Sequence, residues 1–436
     1  MLSALVRRAI ACLAVLAVTA APAVARGGLI RDAALEHALS VLARPVLEAA
    51  GLPRSVDVLL IDDDRMNAFV ANARTIFIHS GLLLRLDDAA ELQAVLAHEA
   101  AHITGGHLTR RPAAARGAIS AAKIGTLLSL AAAAAGGGRA GLGLALGTQS
   151  AAQRSLFAHT RAEESSADQA SLRILAAAGV DPTAASRVLK RFEGQELLNV
   201  GRQDPYARTH PLTRDRLRAV AAGAAGLRVA QRDTRADAYW FSRAQAKLSG
   251  FTRAPSETLR RVRGDRSETA ALARSIAYLR RGDAGRAVQS IDALIAARPG
   301  DAYYRELKGQ ILLESGQAAA AVAAYRQAVD LAPRVALIRA GLGRAQLAAG
   351  QDRAALETLS NARAREPFDP AMLRDLATAH ARAGQPGLAS VAVAERYAVL
   401  GRLDDARTQA TRAAGLLPRG SAGWLRAQDI LSSTGG

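Results

Sequence analysis

The chain has 436 residues, half of them hydrophobic, and a formal net charge of +18. This length predicts two domains. A strongly basic chain can bind nucleic acid, an anionic membrane or acidic partners. The sequence has no basic patch interleaved with aromatic residues and no nucleic-acid-binding motif, so we exclude nucleic acid. Weak peripheral attraction to an anionic membrane is one explanation of the charge, and arginines on solvated helix faces are an equal alternative.

The first 25 residues are typical of a secretory signal peptide. Arg7 and Arg8 form a basic start, an apolar run follows over 9–21, and an A-x-A cleavage pattern occupies 23–25. The apolar run is too short to span a bilayer comfortably. The single cysteine, Cys12, lies inside this peptide, so the mature chain cannot form a disulfide. The signal predicts a protein of the bacterial envelope.

The next part of the chain predicts a helix over 31–50 and strands over 56–61 and 75–79. The strands indicate a short hairpin-like pair with an exposed edge. An extended substrate could pair with that edge backbone to backbone, as peptides often do with a peptidase. Asn67 and Phe77 are therefore the candidate substrate-binding residues.

One short motif, H-E-x-x-H, carries the strongest chemical signal. A helical pattern begins at a capping box, Asp88 with Glu91, and contains His98, Glu99 and His102. Residues four apart share a helix face, so both histidines can reach one metal ion. The glutamate is placed to contact a water on that metal. This is the arrangement of a zinc peptidase, in which a carboxylate takes the proton from a water that the metal acidifies.

Two features after this helix have open interpretations. His107 follows a helix stop and lies off the face of the motif, so it either supports a ligand from behind or faces solvent. The segment 118–152 is almost entirely Ala, Gly, Leu, Ile and Ser, with apolar runs too short to span a membrane. It could be a buried helical pair with a glycine hinge, a mobile lid, or a segment that rests on a bilayer.

A second helical pattern, over 155–177, supplies carboxylates. A catalytic zinc site usually takes three protein ligands and leaves one position for water. Glu163, Glu164 and Asp168 are the candidates, and the last two share a helix face. One of them could bind the metal while another orients a ligand imidazole. Spacing alone does not choose among the three, and a solvated acidic patch is the alternative.

These motifs resemble the zinc peptidase family that includes the CAAX prenyl proteases and the heat-shock membrane protease HtpX. In that family H-E-x-x-H is followed by a helix that reads roughly S-R-x-x-E-x-E-A-D, and here 160–168 reads T-R-A-E-E-S-S-A-D. The resemblance implies that Glu164 is the third zinc ligand and that Asp168 supports a ligand histidine. The chain departs from the family at Thr160 and Ser166, neither of which is a ligand position.

A histidine before a proline resembles the H-P motif of the same family. Here it is His210 before Pro211, followed by Arg216. The resemblance implies that His210 stands over the zinc. There it would either donate a hydrogen bond to the oxyanion or ligate zinc in a resting state and block water activation. Arg216 would support the site from behind.

The C-terminal part repeats with a period of 34 residues. Three columns of residues keep this spacing, which is typical of tetratricopeptide repeats: a helix–turn–helix unit with a small residue at the helix crossing and a proline after the second helix. Gly401 with Ala406 repeats the pattern after half a period, which predicts a helix shared with a further unit. Stacked units would form one elongated core with a groove that binds peptides or partner proteins. The columns are Gly282, Gly316, Gly350 and Gly384; Ala287, Ala321, Ala355 and Ala389; and Pro299, Pro333 and Pro367.

The resemblance implies a mainly α chain. We expect an α+β zincin-type (gluzincin) domain with a small β-sheet over 26–232, after the signal peptide at 1–25. A linker over 233–264, which includes the first helices of the repeat domain, then leads to an all-α tetratricopeptide solenoid over 265–436. This combination is similar to the soluble periplasmic branch of the family, and the resemblance covers nearly the whole mature chain.

The expected function is that of a periplasmic zinc metalloendopeptidase, EC 3.4.24.-, with one Zn²⁺ per chain. The resemblance implies that it degrades misfolded outer-membrane proteins or assists their assembly. Its repeats would dock the outer-membrane assembly machinery, with possible association with the outer membrane. The alternative is a chaperone or assembly factor that binds clients through the repeats and keeps its zinc site closed. A prenyl-peptide protease is disfavoured because the sequence predicts no transmembrane chamber.

Overall fold

A computed structural model describes residues 28–107, 161–195 and 203–434. The predicted signal peptide at 1–25 and the apolar segment 118–152 lie outside these ranges. Within them, no helix combines the length and the apolar character needed to cross a bilayer. The elements before the repeats are β1 (Leu29–Ile30), α1 (Ala33–Ala49), β2 (Asp57–Ile61), β3 (Ala68–Asn72), β4 (Thr75–His79), α2 (Ser80–Leu83), α3 (Ala89–Thr104), α4 (Arg161–Ala177), α5 (Thr183–Lys190), α6 (Pro205–Thr209), α7 (Arg214–Ala225), α8 (Arg235–Thr252) and α9 (Pro255–Arg261).

The four strands form one mixed sheet in the order β1-β2-β4-β3. β3 and β4 make the antiparallel hairpin, and β2 lies parallel to β4 with Val58 opposite Ile76. β4 is therefore an interior strand and all five of its residues are buried, which accounts for its continuous apolar sequence. The edge strand of this sheet near α3 is β3.

Helix α3 lies at the centre of this domain. The side chain of Asp88 accepts a hydrogen bond from the backbone N–H of Glu91 at 2.8 Å, and the Glu91 carboxylate accepts one from the backbone N–H of Asp87 at 2.9 Å. This differs from a capping box by one residue on the return bond. Helices α1 and α4 and the sheet surround α3, so nearly all of its side chains are buried. The motif helix is thus fixed on every side by packing.

The repeats form a solenoid of helical pairs. Its helices are α10 (Glu268–Arg280), α11 (Ala284–Ala297), α12 (Ala302–Glu314), α13 (Ala318–Leu331), α14 (Ala336–Ala348), α15 (Asp352–Arg363), α16 (Pro370–Arg382), α17 (Pro386–Val399), α18 (Leu403–Leu416) and α19 (Ala422–Thr434). A glycine column turns the chain within each pair, with φ between 71° and 78°, a left-handed conformation that other residues rarely adopt. Its members are Gly282, Gly316, Gly350 and Gly384.

Helix α17 is shared between two units, as the half-period at Gly401 predicts. Ala392 and Val399 face the core that α17 forms with α16. Val391 and Ala394 face a separate core that it forms with α18 and α19. The helix therefore serves as the second helix of one pair and the first helix of the next.

The solenoid encloses part of the N-terminal domain. Ala33 at the start of α1 packs into a cluster with Ala302, Ala328 and Ile338 of the repeats. Arg31 forms an ion pair with Glu366, with Nη2 and Oε2 3.1 Å apart. The face made by the first helices of the early repeats is therefore occupied by the chain itself.

Helix α8 reinforces this junction. Lys247 of α8 is buried between Asp32 and Glu306, with Nζ–O distances of 2.7 and 3.3 Å. The His37 ring lies 4.5 Å from that of Trp240 and 4.9 Å from that of Tyr303, centroid to centroid. Together these contacts fix the orientation of the sheet domain relative to the solenoid.

Candidate metal centre

Two helices bring three side chains together in the interior. His98 and His102 of α3 have their Nε2 atoms 3.0 Å apart, one helical turn from each other. Glu164 of α4 lies beside both, with Oε2 3.4 Å from His98 Nε2 and Oε1 3.3 Å from His102 Nε2. All three are buried. Glu163 lies next to Glu164 on the same helix but is only half-buried and outside this cluster.

His210 completes the cluster from a third direction. It caps the short helix α6, where its backbone N–H donates to Tyr206 O at 2.8 Å. Its Nδ1 lies 3.0 Å from Glu164 Oε1 and 3.3 Å from His98 Nε2. The Tyr206 ring lies 4.5 Å from its ring, centroid to centroid. Packing therefore holds this imidazole over the other three donors.

The four donors fit a divalent transition metal. One atom from each of His98, His102, Glu164 and His210 lies within 4.8 Å of the others, and all four residues are buried. Imidazole nitrogens with a carboxylate are the donor set that Zn²⁺ prefers. Four donors make a closed set, however, whereas a catalytic zinc site keeps one position for water.

Glu99, the residue directly after His98, is fully buried. Its Oε1 lies 3.4 Å from His210 Nε2, so the two sides of the His210 ring face Glu164 and Glu99. Burial raises the pKa of Glu99, and His210 and His98 oppose that shift. A carboxylate in such a position can accept a proton more readily than an exposed one.

Asp168 and Arg216 support the cluster from behind. Asp168 Oδ1 lies 3.2 Å from His98 Nδ1, on the far side of that ring from the other donors. The Nη1 atom of Arg216 lies 2.9 Å from Glu164 Oε2. Burial would raise the pKa of Asp168, but His98 and Arg216 lower it by more. The carboxylate therefore stays charged and orients the His98 ring.

The two histidines of α3 have opposite electrostatic surroundings. Burial disfavours a charge on His98, but hydrogen bonds with Asp168 and Glu164 raise its pKa to about 10. Burial lowers the pKa of His102 to about 3, although Glu164 opposes the shift. His102 is therefore neutral near pH 7, the form that can donate a lone pair to a metal.

The two predicted substrate contacts are both buried. Asn67 Nδ2 lies 3.4 Å from His79 Nε2, at the start of the hairpin. Phe77 is 0% exposed and stacks on Phe69 at 5.4 Å between ring centroids. Because β4 is paired on both sides, neither the side chain nor the backbone of Phe77 has a surface for substrate. The choice of Phe77 is corrected here, because the edge strand of the hairpin among the described residues is β3 and not β4.

Sequence reasoning missed several residues around this centre. Asp204 ties the His210 segment to the hairpin, since its Oδ1 accepts a hydrogen bond from Met66 N at 3.1 Å. The backbone N–H of Tyr206 donates back to Met66 O at 3.2 Å. No periodic pattern marks these contacts, because they join segments far apart in the chain.

Two parts of the chain match known protein families. Residues 30–224 match peptidase family M48. This part of the chain is similar to M48 peptidase domains. Residues 272–336 and 312–378 match tetratricopeptide repeats, so an M48 domain is followed by a repeat domain. This confirms the resemblance to the zinc peptidase family and the mainly α fold class, and it supports a metallopeptidase.

Curated relatives match most of the chain. The β-barrel assembly-enhancing protease of Escherichia coli (strain K12) is 27% identical over 399 residues, which are 90% of this chain and 81% of that protein. The Yersinia pestis protein of the same name is 28% identical over 409 residues, 90% of this chain and 80% of the other. Among solved structures, a crystal structure of MamA aligns with a TM-score of 0.30 and 17% identity, over 37% of this chain and 91% of that one.

Proposed function

We propose that the chain is a periplasmic zinc endopeptidase whose M48 domain is tied to a protein-docking solenoid. The observation that carries this proposal is the buried set of His98, His102 and Glu164 with Glu99 beside it. A structural metal site has no need of an adjacent buried carboxylate that is not a ligand. The combination therefore supports hydrolysis rather than a purely structural metal.

His98, His102 and Glu164 would hold the metal, and Asp168 and Arg216 would orient the ligands. Zn²⁺, when bound there, supplies a Lewis acid that acidifies water and polarises the scissile carbonyl. Glu99 accepts the proton of the attacking water on its carboxylate. It then delivers that proton to the leaving amine nitrogen, so that the C–N bond breaks with a neutral amine. Burial of Glu99 suits it to both transfers.

His210 would have two positions in this scheme. With its Nδ1 beside Glu164, as in this structure, it would serve as a fourth donor to a bound metal and would exclude water. After a rotation or a shift of the segment after α6, its N–H would be free to donate to the oxyanion. The arrangement described here is thus the closed one.

The closed set of four donors favours a second candidate function. A chaperone that binds clients through its repeats and never opens its metal site would have the same geometry. The presence of Glu99 beside the ligands argues for the peptidase, since a permanently closed site would give that carboxylate no reaction.

The names of the relatives suggest the substrate class. β-Barrel assembly-enhancing proteases cover most of this chain, so we propose outer-membrane β-barrel proteins as substrates or clients and their assembly machinery as the docking partner. The outer edge of β3 would bind an extended segment of substrate, with Asn67 directly before that strand. We propose that residues 1–25 direct export and that the chain divides into 26–232, 233–264 and 265–436. The M48 match at 30–224 lies inside the first of these domains, and the repeat matches at 272–336 and 312–378 lie inside the last.

The decisive experiment compares the zinc-loaded wild type with Glu99→Gln on an unfolded β-barrel client. The peptidase proposal expects cleavage by the wild type, loss of cleavage in the variant and unchanged client binding. Glu163→Gln is the matched control, a glutamate on α4 that stands outside the cluster, and it should cleave normally. A wild type that binds clients and zinc but never cleaves would establish the chaperone function instead.

A further inference from the structure

The chain reverses direction directly after the motif helix and brings one more imidazole to the metal centre. α3 ends at Thr104, and Gly106 has a φ of 62°, which turns the backbone sharply. The backbone N–H of His107 then donates to His102 O at 3.2 Å. The His107 side chain is 5% exposed and its Nδ1 lies 2.8 Å from His102 Nδ1.

The position of this contact determines which nitrogen of His102 carries the proton. His102 Nε2 faces His98 and Glu164 in the ligand cluster. A neutral imidazole has one N–H and one lone pair, so a metal-facing Nε2 requires the proton on Nδ1. That N–H lies within hydrogen-bond distance of His107 Nδ1, which accepts it. His107 must then hold its own proton on Nε2.

Gly105, which precedes the turn, leaves the space that the His107 ring occupies. A Cβ at Gly105 would meet His107 Nε2 at 2.6 Å and Cε1 at 2.9 Å, distances that real Cβ atoms do not show. The ring therefore lies directly against the backbone of Gly105. Only a residue without a side chain leaves room for the His107 ring to reach His102.

The two histidines of α3 thus have matched supports of different chemistry. His98 Nδ1 faces the carboxylate of Asp168, and His102 Nδ1 faces a neutral imidazole. Each support lies on the side of the ring away from the ligand cluster. A carboxylate behind both rings would place one more negative charge in a buried site that already holds Glu99, Glu164 and Asp168.

We propose that His107 is a positioning residue that fixes His102 with its proton on Nδ1 and its lone pair toward the metal. This inference rests on the proposed function only in assuming that His98, His102 and Glu164 hold a metal. It assigns His107 no contact with substrate and no part in proton transfer.

The test measures zinc affinity of the full chain by competition with a chromogenic chelator. His107→Ala should weaken zinc binding about 10–100-fold, the usual effect of removing such a partner. His107→Asn should restore most of the affinity, because its Oδ1 takes the place of Nδ1 as acceptor. His380→Ala is the control, since that imidazole is also hydrogen-bonded, to Gln385 Oε1 at 2.7 Å, but lies in the repeats.

A spectroscopic measurement separates positioning from general destabilisation. In ¹⁵N NMR of the zinc-loaded protein, the His102 Nδ1–H should exchange slowly in the wild type and in His107→Asn and rapidly in His107→Ala. Gly105→Ala, which displaces the ring without removing it, should reproduce the loss of affinity and serves if His107→Ala does not fold. Wild-type affinity in His107→Ala or Gly105→Ala, or no recovery in His107→Asn, would overturn the proposal. A zinc-loaded wild type that cleaves nothing would instead count against the proposed peptidase function. The zinc affinities of the variants would still test the role of His107.

Discussion

Arg216 binds both carboxylate oxygens of Asp168, with Nε–Oδ2 at 2.7 Å and Nη2–Oδ1 at 2.9 Å. Its remaining terminal nitrogen donates to Pro211 O at 2.7 Å, one residue after His210. A single guanidinium therefore joins α4 to the segment that carries His210. Both the orientation of His98 and the placement of His210 depend on it.

Arg216→Lys should weaken zinc binding and client cleavage by about 10–100-fold each. An ammonium cannot make the two-pronged contact with Asp168 and reach the Pro211 carbonyl as well. Chelator competition and initial cleavage rates measure the two effects. Arg218→Lys is the matched control on the same helix, because its ion pair with Asp215 is exposed. Equal losses in the two variants would contradict the role given to Arg216.

Asp204→Ala should raise the rate of client cleavage. Its carboxylate holds Met66 N at 3.1 Å and Gln195 Nε2 at 2.7 Å, and thereby the start of α6. Losing a hydrogen bond of about 1 kcal/mol shifts a two-state equilibrium about fivefold, here toward displaced His210. Initial rates with saturating zinc measure this. Asp215→Ala on the surface of α7 should leave the rate unchanged, and an unchanged rate in Asp204→Ala would exclude control by this contact.

Lys247→Met should destabilise the junction between the sheet domain and the solenoid by about 3–5 kcal/mol, because it leaves the mostly buried carboxylates of Asp32 and Glu306 without their cation. Lys308→Met provides the comparison. Its ion pair with Asp292 is partly exposed, so we expect a change within about 1 kcal/mol. Denaturant unfolding gives both values. Similar losses of unfolding free energy in both variants would contradict the larger effect expected from the burial of Lys247.

The comparison of the wild type with Lys247→Met also predicts how the stability of the protein depends on pH. Burial lowers the pKa of Lys247, but Asp32 and Glu306 raise it by more, so the net pKa lies above its ordinary value. The folded state then binds this proton more tightly than the unfolded state. The contribution of Lys247 is fully present below about pH 10.4 and is lost as the pH rises further through the folded pKa. The stability difference between the wild type and Lys247→Met should therefore be constant up to about that pH and narrow above it.

Gly309→Ala should destabilise the solenoid by about 1–3 kcal/mol. A Cβ there would meet three atoms of the Tyr325 ring at 2.6 to 2.8 Å. Gly341 packs against the other side of that ring, so the ring has no room to move. Gly285→Ala is the matched control. Its Cβ would meet only Asp283 Oδ1, at 4.0 Å, and the gain in helix propensity should make it neutral or stabilising. Thermal unfolding of the two variants decides the matter.

Much of the local structure could be predicted from the sequence because local rules determine it. The helix period places His98 and His102 on one face whatever surrounds them. The glycine column marks the repeat turns, since φ near 70° favours glycine at Gly282 and its equivalents. These features depend on residues within one or two turns of each other, where periodicity is informative.

The remaining features depend on which elements meet in space. Whether Phe77 lies on an edge or an interior strand is decided by β2 adding in parallel, which neither strand's sequence reveals. Spacing did not choose among Glu163, Glu164 and Asp168, and the packing of α4 on α3 turns Glu164 into the cluster. The sequence left two interpretations of His107 open, and only the backbone reversal at Gly106 places its ring against His102. In each case the deciding contact joins residues whose separation along the chain has no periodic meaning.

The enclosure of α1 and α8 by the repeats has a practical consequence for dissecting this protein. A fragment cut near residue 264 would bring the rings of His37 and Trp240 into water where Tyr303 once covered them. The truncated protein would expose a new apolar surface that favours aggregation. Its first helix, α1, would also lose the contacts that hold it in place. Inactivity of the fragment would then report this damage, and it would say nothing about whether the repeats recruit clients.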